Sequence, residues 1–308
     1  MFIISILLAD GAFPPASFGI PKEIFLLAGQ SNMAGRGGVV GQEWDKYARD
    51  PLHKDIDNGR PCGVGPGMPF SNMLLKKDPR VGVIGLVPCA VGGTSISQWQ
   101  RGGFLYDRLL MRANAALQDG GTIRAMLWYQ GESDSNDTTS AEMYGTRLEQ
   151  FFCDLWLDLA SPLLPIVQVA VTSTAGRYVD IVRKAQLEMD LPNIFCIDAN
   201  GLEVNRNDEL HLTTSAQVQL GRMFADVILY CTIVGANNKL LPNEIKLHVC
   251  PNVLPQGKNE ALPANENATQ LLQEKNALIS STHKALGIDM ARNSGISTLD
   301  NASATLFS

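Results

Sequence analysis

The sequence predicts an α/β chain, a three-layer α/β/α sandwich around a central parallel sheet of about five strands. Three observations lead there. Apolar, β-branched runs alternate with amphipathic segments from residue 24 to about 231, as they do when helices cross over between parallel strands. The runs end in turns rich in glycine and polar residues. A hydrophobic content of 45% over 308 residues is enough to cover both faces of such a sheet. One folded domain over 23–234 is expected, preceded by an N-terminal segment 1–22 and followed by an appendage 235–308.

The first strand is predicted at Ile24 to Ala28, within "IFLLAGQSNMAGRGG". Residues 39–80 are richer in Gly, Pro and charge, the composition of a long excursion over the sheet edge. Further strands are predicted at Val81 to Val87, Ala125 to Tyr129, Ile166 to Val171 and Ile194 to Asp198. Apolar residues recur at helical spacing over Leu105 to Leu117, Ala141 to Leu159, Val179 to Met189 and Ala216 to Tyr230. Thr214 or Ser215 is the expected N-cap of the last helix. From 235 the chain turns to Asn, Lys, Gln, Pro and Ser, a disorder-prone composition with one helix in prospect around Thr269 to Leu286.

Composition excludes several functions. The net charge is −6 and no basic run interleaves with aromatics, so nucleic acid is not an expected partner. No apolar stretch approaches the ~18 residues of a membrane span. The opening "MFIISILLADGAFPPASFG" lacks a positive n-region, which slightly favours the cytoplasm over secretion. Asn136, Asn267 and Asn301 stand in glycosylation sequons that permit secretion without requiring it. The six cysteines show no metal-ligand spacing and read as reduced, buried thiols. No metal and no cofactor is expected.

In an open parallel sheet, the loops at the carboxyl ends of the strands converge on one edge. Here those loops are "GQSNMAG", "CAVGGTSISQW", "QGESD" and "NDELHLTT". Ser31 is either a helix N-cap or a nucleophile. A serine hydroxyl reacts only when a base takes its proton, and a neutral imidazole oriented by a carboxylate is such a base. Of the four histidines, His53 falls in the excursion and His248 and His283 in the tail, leaving His211 at a strand end. The spacing D-x-x-H places Asp208 within one turn of it. The Ser31 N–H, the Gly93 N–H and the Gln130 side-chain amide are candidate oxyanion donors. For Gln130 the plainer alternative is an interior hydrogen bond between two loops. Glu132 and Asp134 could instead form an acid/base pair of the glycosidase kind, but with a serine and a histidine at hand Glu132 reads as a group that orients Gln130 or the loop around Ser31. Trp99 and Arg101 are candidate substrate contacts, against the commoner interior role of a tryptophan.

The blocks "GQSNMAGRGG", "VPCAVGGTSISQW", "WYQGESD" and "DELHLTTSAQVQLG" resemble those of the plant carbohydrate esterases of family 6, the sialate O-acetylesterase-like branch of the SGNH hydrolases. The resemblance runs in order from about residue 23 to 231. It implies a flavodoxin-like α/β/α fold and a metal-independent serine esterase that removes acetyl groups from sugars. Motif by motif, it gives Ser31, Asp208 and His211 the roles of nucleophile, acid and base. Ser31, Gly93 and Gln130 take the oxyanion positions, with Gln30, Asn32 and Glu132 in support. Gln30 stands for the Asp of the wider superfamily's "GDS", and Gln130 stands where an Asn is usual. The chain is shorter than its relatives between Gly38 and Trp44, and the tail matches nothing in the family. The expected partner is an acetylated carbohydrate. The alternative from another class is a catalytically impaired relative that binds carbohydrate on the same fold.

Overall fold

A computed structural model of the chain describes residues 5–7, 22–40, 43–44, 52–53, 55–57, 59–172 and 174–237. It divides into two units, Met1–Pro251 and Asn252–Ser308. The second unit and the helix expected over Thr269 to Leu286 lie outside the described residues.

The strands are β1 (Ser5–Leu7), β2 (Lys22–Gly29), β3 (Val39–Val40), β4 (Glu43–Trp44), β5 (Val83–Pro88), β6 (Thr122–Tyr129), β7 (Ile166–Ala170) and β8 (Ile194–Asp198). Six of them form the main sheet in the order β1-β5-β2-β6-β7-β8, and β3 and β4 pair as a separate hairpin. The five strands β5, β2, β6, β7 and β8 are parallel, as expected, while β1 adds a short antiparallel edge that sequence patterning did not indicate. Parallel strands are covered on both faces, which is why β2 from Ile24 onward is free of polar side chains, and its last six residues are buried.

The helices are α1 (Ser31–Ala34), α2 (Gly67–Lys77), α3 (Phe104–Leu117), α4 (Thr138–Asp158), α5 (Val179–Leu187) and α6 (Thr214–Asn237). Helices α2 and α6 pack together, as do α4 and α5, and right-handed crossovers put the two groups on opposite faces of the sheet. On one face Phe25 of β2 meets Phe70 of α2, ring centroids 4.9 Å apart. On the other, Trp128 of β6 meets Phe151 of α4 at 4.8 Å and Trp99 at 5.2 Å. Such edge-on and tilted contacts join the layers through large buried apolar area. No helix among the described residues is long and apolar enough to cross a membrane.

Helix α2 lies inside the expected excursion. Pro66 and Pro69 at its start break the apolar periodicity, yet a proline in the first turn costs a helix no hydrogen bond. The cap of α6 is one residue earlier than expected, because Thr213 Oγ1 accepts from Ala216 N at 3.3 Å. Cys89, Cys196 and Cys231 are free thiols, but only Cys89 of these is buried. Cys153 is disulfide-bonded, so the expectation of reduced thiols fails there. Cys250 lies outside the described residues.

His53, in a turn of the excursion, is fully buried, and its carbonyl receives the Ile56 and Asp57 amides at 2.9 and 3.0 Å. Burial lowers its pKa from 6.5 to about 3. Between those values the unfolded chain binds a proton that the folded chain excludes, so stability is lost as pH falls through 6.5. The slope is about 1.4 kcal/mol per pH unit. Denaturant titrations at pH 7 and pH 5 are expected to show the wild type losing about 2 kcal/mol more than a His53→Leu variant. Equal losses would mean that the buried imidazole is not the titrating group.

Candidate active site

Strand β2 ends level with its neighbours, Gly29 opposite Tyr129 of β6 and Leu27 opposite Pro88 of β5. Beyond that edge the chain turns at once into α1. Gly29 has φ +130°, and a Cβ there would lie 2.1 Å from the Tyr129 carbonyl oxygen, so only glycine fits. Two backbone bonds, Gln30 N to Tyr129 O at 2.8 Å and Val91 N to Gly29 O at 2.9 Å, pin the turn between the loops after β6 and β5. Ser31 is thereby held at the sheet edge with 5% of its surface exposed. It is the first residue of α1, and the N-cap position before it is Gln30.

The loop from β8 to α6 closes on itself through Asn205 N to His211 O at 2.7 Å and Thr213 N to Glu203 O at 3.0 Å. His211 Nε2 lies 2.9 Å from Ser31 Oγ, and His211 Nδ1 lies 2.8 Å from Asp208 Oδ2. The other oxygen, Asp208 Oδ1, accepts from the Leu210 and His211 amides at 3.0 Å each. Burial works to raise the Asp208 carboxyl, but those amide bonds and the imidazole outweigh it and hold the group below its ordinary value.

Asn32 ties the serine turn to the histidine loop. Its side chain donates to Leu210 O at 3.2 Å and to Glu132 Oε1 at 2.8 Å, and accepts from Leu212 N at 2.9 Å. Glu132 is thus bonded to the residue that follows Ser31, and no bond joins it to the Gln130 side chain among the described contacts. Burial pushes its carboxyl up to about 7, against the pull of the Asn32 bond. Gln30 Oε1 accepts from Ser133 N at 3.3 Å, which joins the first and third loops.

Ser31, Gly93, Glu132 and His211 line one cavity of about 290 Å³, together with Arg36 and Arg60. Among the described residues the Ser31 and Gly93 amides have no hydrogen-bond partner. Gln130 does not line the cavity. Its Nε2 donates to Thr94 O at 2.9 Å and Asp134 Oδ2 at 2.6 Å, the interior link between the second and third loops. Asp134 also receives Ile96 N at 2.9 Å and is fully buried, so it forms no acid/base pair with Glu132 at the cavity. Trp99 is buried, its indole N–H on Thr94 Oγ1 at 3.1 Å, and Arg101 pairs with Asp154 and Asp158 of α4; neither lines the cavity. No group of three His, Cys, Asp or Glu among the described residues could hold a metal ion.

Residues 21–230 match the family described as "Carbohydrate esterase, sialic acid-specific acetylesterase". The chain belongs to that family. It is 47% identical over 238 residues to the "Probable carbohydrate esterase At4g34215" of Arabidopsis thaliana, covering 68% of this chain and 91% of the relative. The X-ray structure of that Arabidopsis protein superposes with a TM-score of 0.64 at 45% identity, over 68% of this chain and 98% of the other. A carbohydrate acetylesterase from Xanthomonas citri aligns at 18% identity and a TM-score of 0.49, over 67% of this chain and 56% of the other. The chain is a carboxylic ester hydrolase of the carbohydrate esterase kind.

Three charged residues at the site of this carbohydrate esterase escaped the sequence reading. Asp57 is fully buried and bonded to Arg36 Nη2, and its Oδ1 receives Gly92 N at 2.5 Å. Arg60 lies 3.8 Å from Asp57, with 49% of its side chain exposed, beside Gly93. Two of the three come from the excursion. No spacing rule brings Asp57 to Gly92, 35 residues away; only the charges inside a Gly/Pro-rich segment could have prompted a search.

Proposed function

We propose that this esterase removes O-acetyl groups from carbohydrates through a Ser31–His211–Asp208 triad. The observation that carries the reading is the continuous relay of 2.9 and 2.8 Å from Ser31 Oγ through His211 to Asp208, built from loops 180 residues apart. Ser31 Oγ attacks the acetyl carbonyl carbon while its proton passes to His211 Nε2. The carbonyl oxygen gains negative charge and is received by the free Ser31 and Gly93 amides, each such donor being worth ~3 to 4 kcal/mol. Collapse breaks the ester C–O bond, and His211 returns the proton to the departing sugar hydroxyl. Water then attacks the acetyl-serine, giving its proton to His211, and acetate leaves as Ser31 takes that proton back. Asp208 holds the imidazole with Nδ1–H toward itself, so that Nε2 faces Ser31 as an acceptor.

Gly93 has its support in the unpartnered amide at the cavity wall. Gln130 takes the role of a strut behind that wall, and Gln30, Asn32 and Glu132 keep the serine and histidine loops in register. The test is acetate release, followed enzymatically, from acetylated xylan and from p-nitrophenyl acetate. Turnover of both is expected. A folded protein that binds acetylated xylan yet releases no acetate from either would overturn the proposal and leave the carbohydrate-binding alternative.

A further inference from the structure

We infer that Asp57 is a positioning residue for ester hydrolysis: its carboxylate fixes the Gly92–Gly93 turn against the turn that carries Ser31, and so sets the separation of the two amides that receive the oxyanion. The inference rests on the triad reading above and adds to it a group from the excursion.

The connection can be followed atom by atom. Gly35, which ends α1, donates its N–H to Ser31 O at 2.9 Å. The Gly35 carbonyl accepts from Arg36 Nη1 at 2.9 Å, and Arg36 Nη2 binds Asp57 Oδ2. Asp57 Oδ1 then accepts from Gly92 N at 2.5 Å, one residue before the free Gly93 amide. Each link is short, and Arg36 and Asp57 are 7% and 0% exposed. Charge-assisted bonds out of water are the stiffest that a loop can have.

The turn is shaped around the pair. A Cβ at Gly92 would lie 2.7 Å from Arg36 Nη2 and 3.2 Å from Asp57 Oδ1, so the backbone is drawn against both groups. A buried ion pair is by itself poor evidence of net stabilisation, since desolvation offsets most of its attraction. Two oxygens facing two different loops at the reacting edge are better explained by geometry. Oxyanion donors act only when they meet the oxygen at hydrogen-bonding distance in the transition state, so a shifted Gly93 amide lowers kcat more than it changes KM.

Removing Asp57 alone would leave Arg36 buried without its partner, so the test compares two charge-neutral double variants. Arg36→Met with Asp57→Asn keeps an oxygen for Gly92 N–H; Arg36→Met with Asp57→Leu does not. Both lack the ion pair. With matched denaturation midpoints, the asparagine form is expected to have a kcat on p-nitrophenyl acetate about 10- to 100-fold higher, with KM within about threefold. Equal kcat values in the two folded forms would overturn the inference. Fluorophosphonate labelling of wild-type Ser31 is run alongside. If the wild type labels and the two variants match, Asp57 alone is wrong; if the wild type does not label, the triad reading falls and this inference with it.

Discussion

Asp208→Asn is expected to lower kcat by about three to four orders of magnitude while the fold stays intact. The two oxygens of Asp208 have separate tasks. Oδ1 receives the Leu210 and His211 amides, and an asparagine oxygen can do the same, so the loop keeps its shape. Oδ2 faces His211 Nδ1 at 2.8 Å, and there asparagine presents an NH2. Two donors cannot meet, so the imidazole adopts the tautomer with its proton on Nε2, pointing at Ser31 Oγ. In that form it cannot take the serine proton.

The native carboxylate holds its charge well into acid. Its pKa is depressed because the bonds from His211 and Leu210 outweigh burial. A depressed carboxyl exerts its effect above its ordinary value and loses it only as pH falls through the lowered one. The deficit of Asp208→Asn is therefore expected to be constant across neutral pH. Steady-state kinetics on p-nitrophenyl acetate, with circular dichroism to confirm folding, checks this. A loss under tenfold would remove Asp208 from the triad.

The parallel sheet was legible because its strands are mainly apolar runs closed by polar turns. Ile194–Asp198 has the predicted bounds, and β2 differs from its prediction by the two polar residues Lys22 and Glu23 and by Gly29. Helix α2 was hidden by prolines at its start, and the edge strand β1 by its three-residue length. At the site, Ser31, Asp208 and His211 could be named because each sits in a loop whose place at the sheet edge follows from the strand before it. Gln130 shows the limit of that reasoning. It follows β6 at the sheet edge, but side-chain rotation decides whether its amide faces the cavity or Thr94 O and Asp134, and sequence does not record that choice. Asp57 shows another limit, since its partners Arg36 and Gly92 are neighbours only after folding.

Ser31→Ala carries the largest expected loss, about five to six orders of magnitude in kcat, because no other hydroxyl lies within reach of His211 Nε2 among the described contacts. The residual rate would come from the amides and from substrate positioning alone. The most direct measurement is intact-protein and peptide mass spectrometry after incubation with a fluorophosphonate at neutral pH. One adduct on Ser31 is expected, absent in Ser31→Ala and formed at least a thousandfold more slowly in His211→Ala. An unmodified Ser31 in folded, wild-type protein, or an adduct at another residue that tracks the loss of activity, would contradict the role given to this hydroxyl.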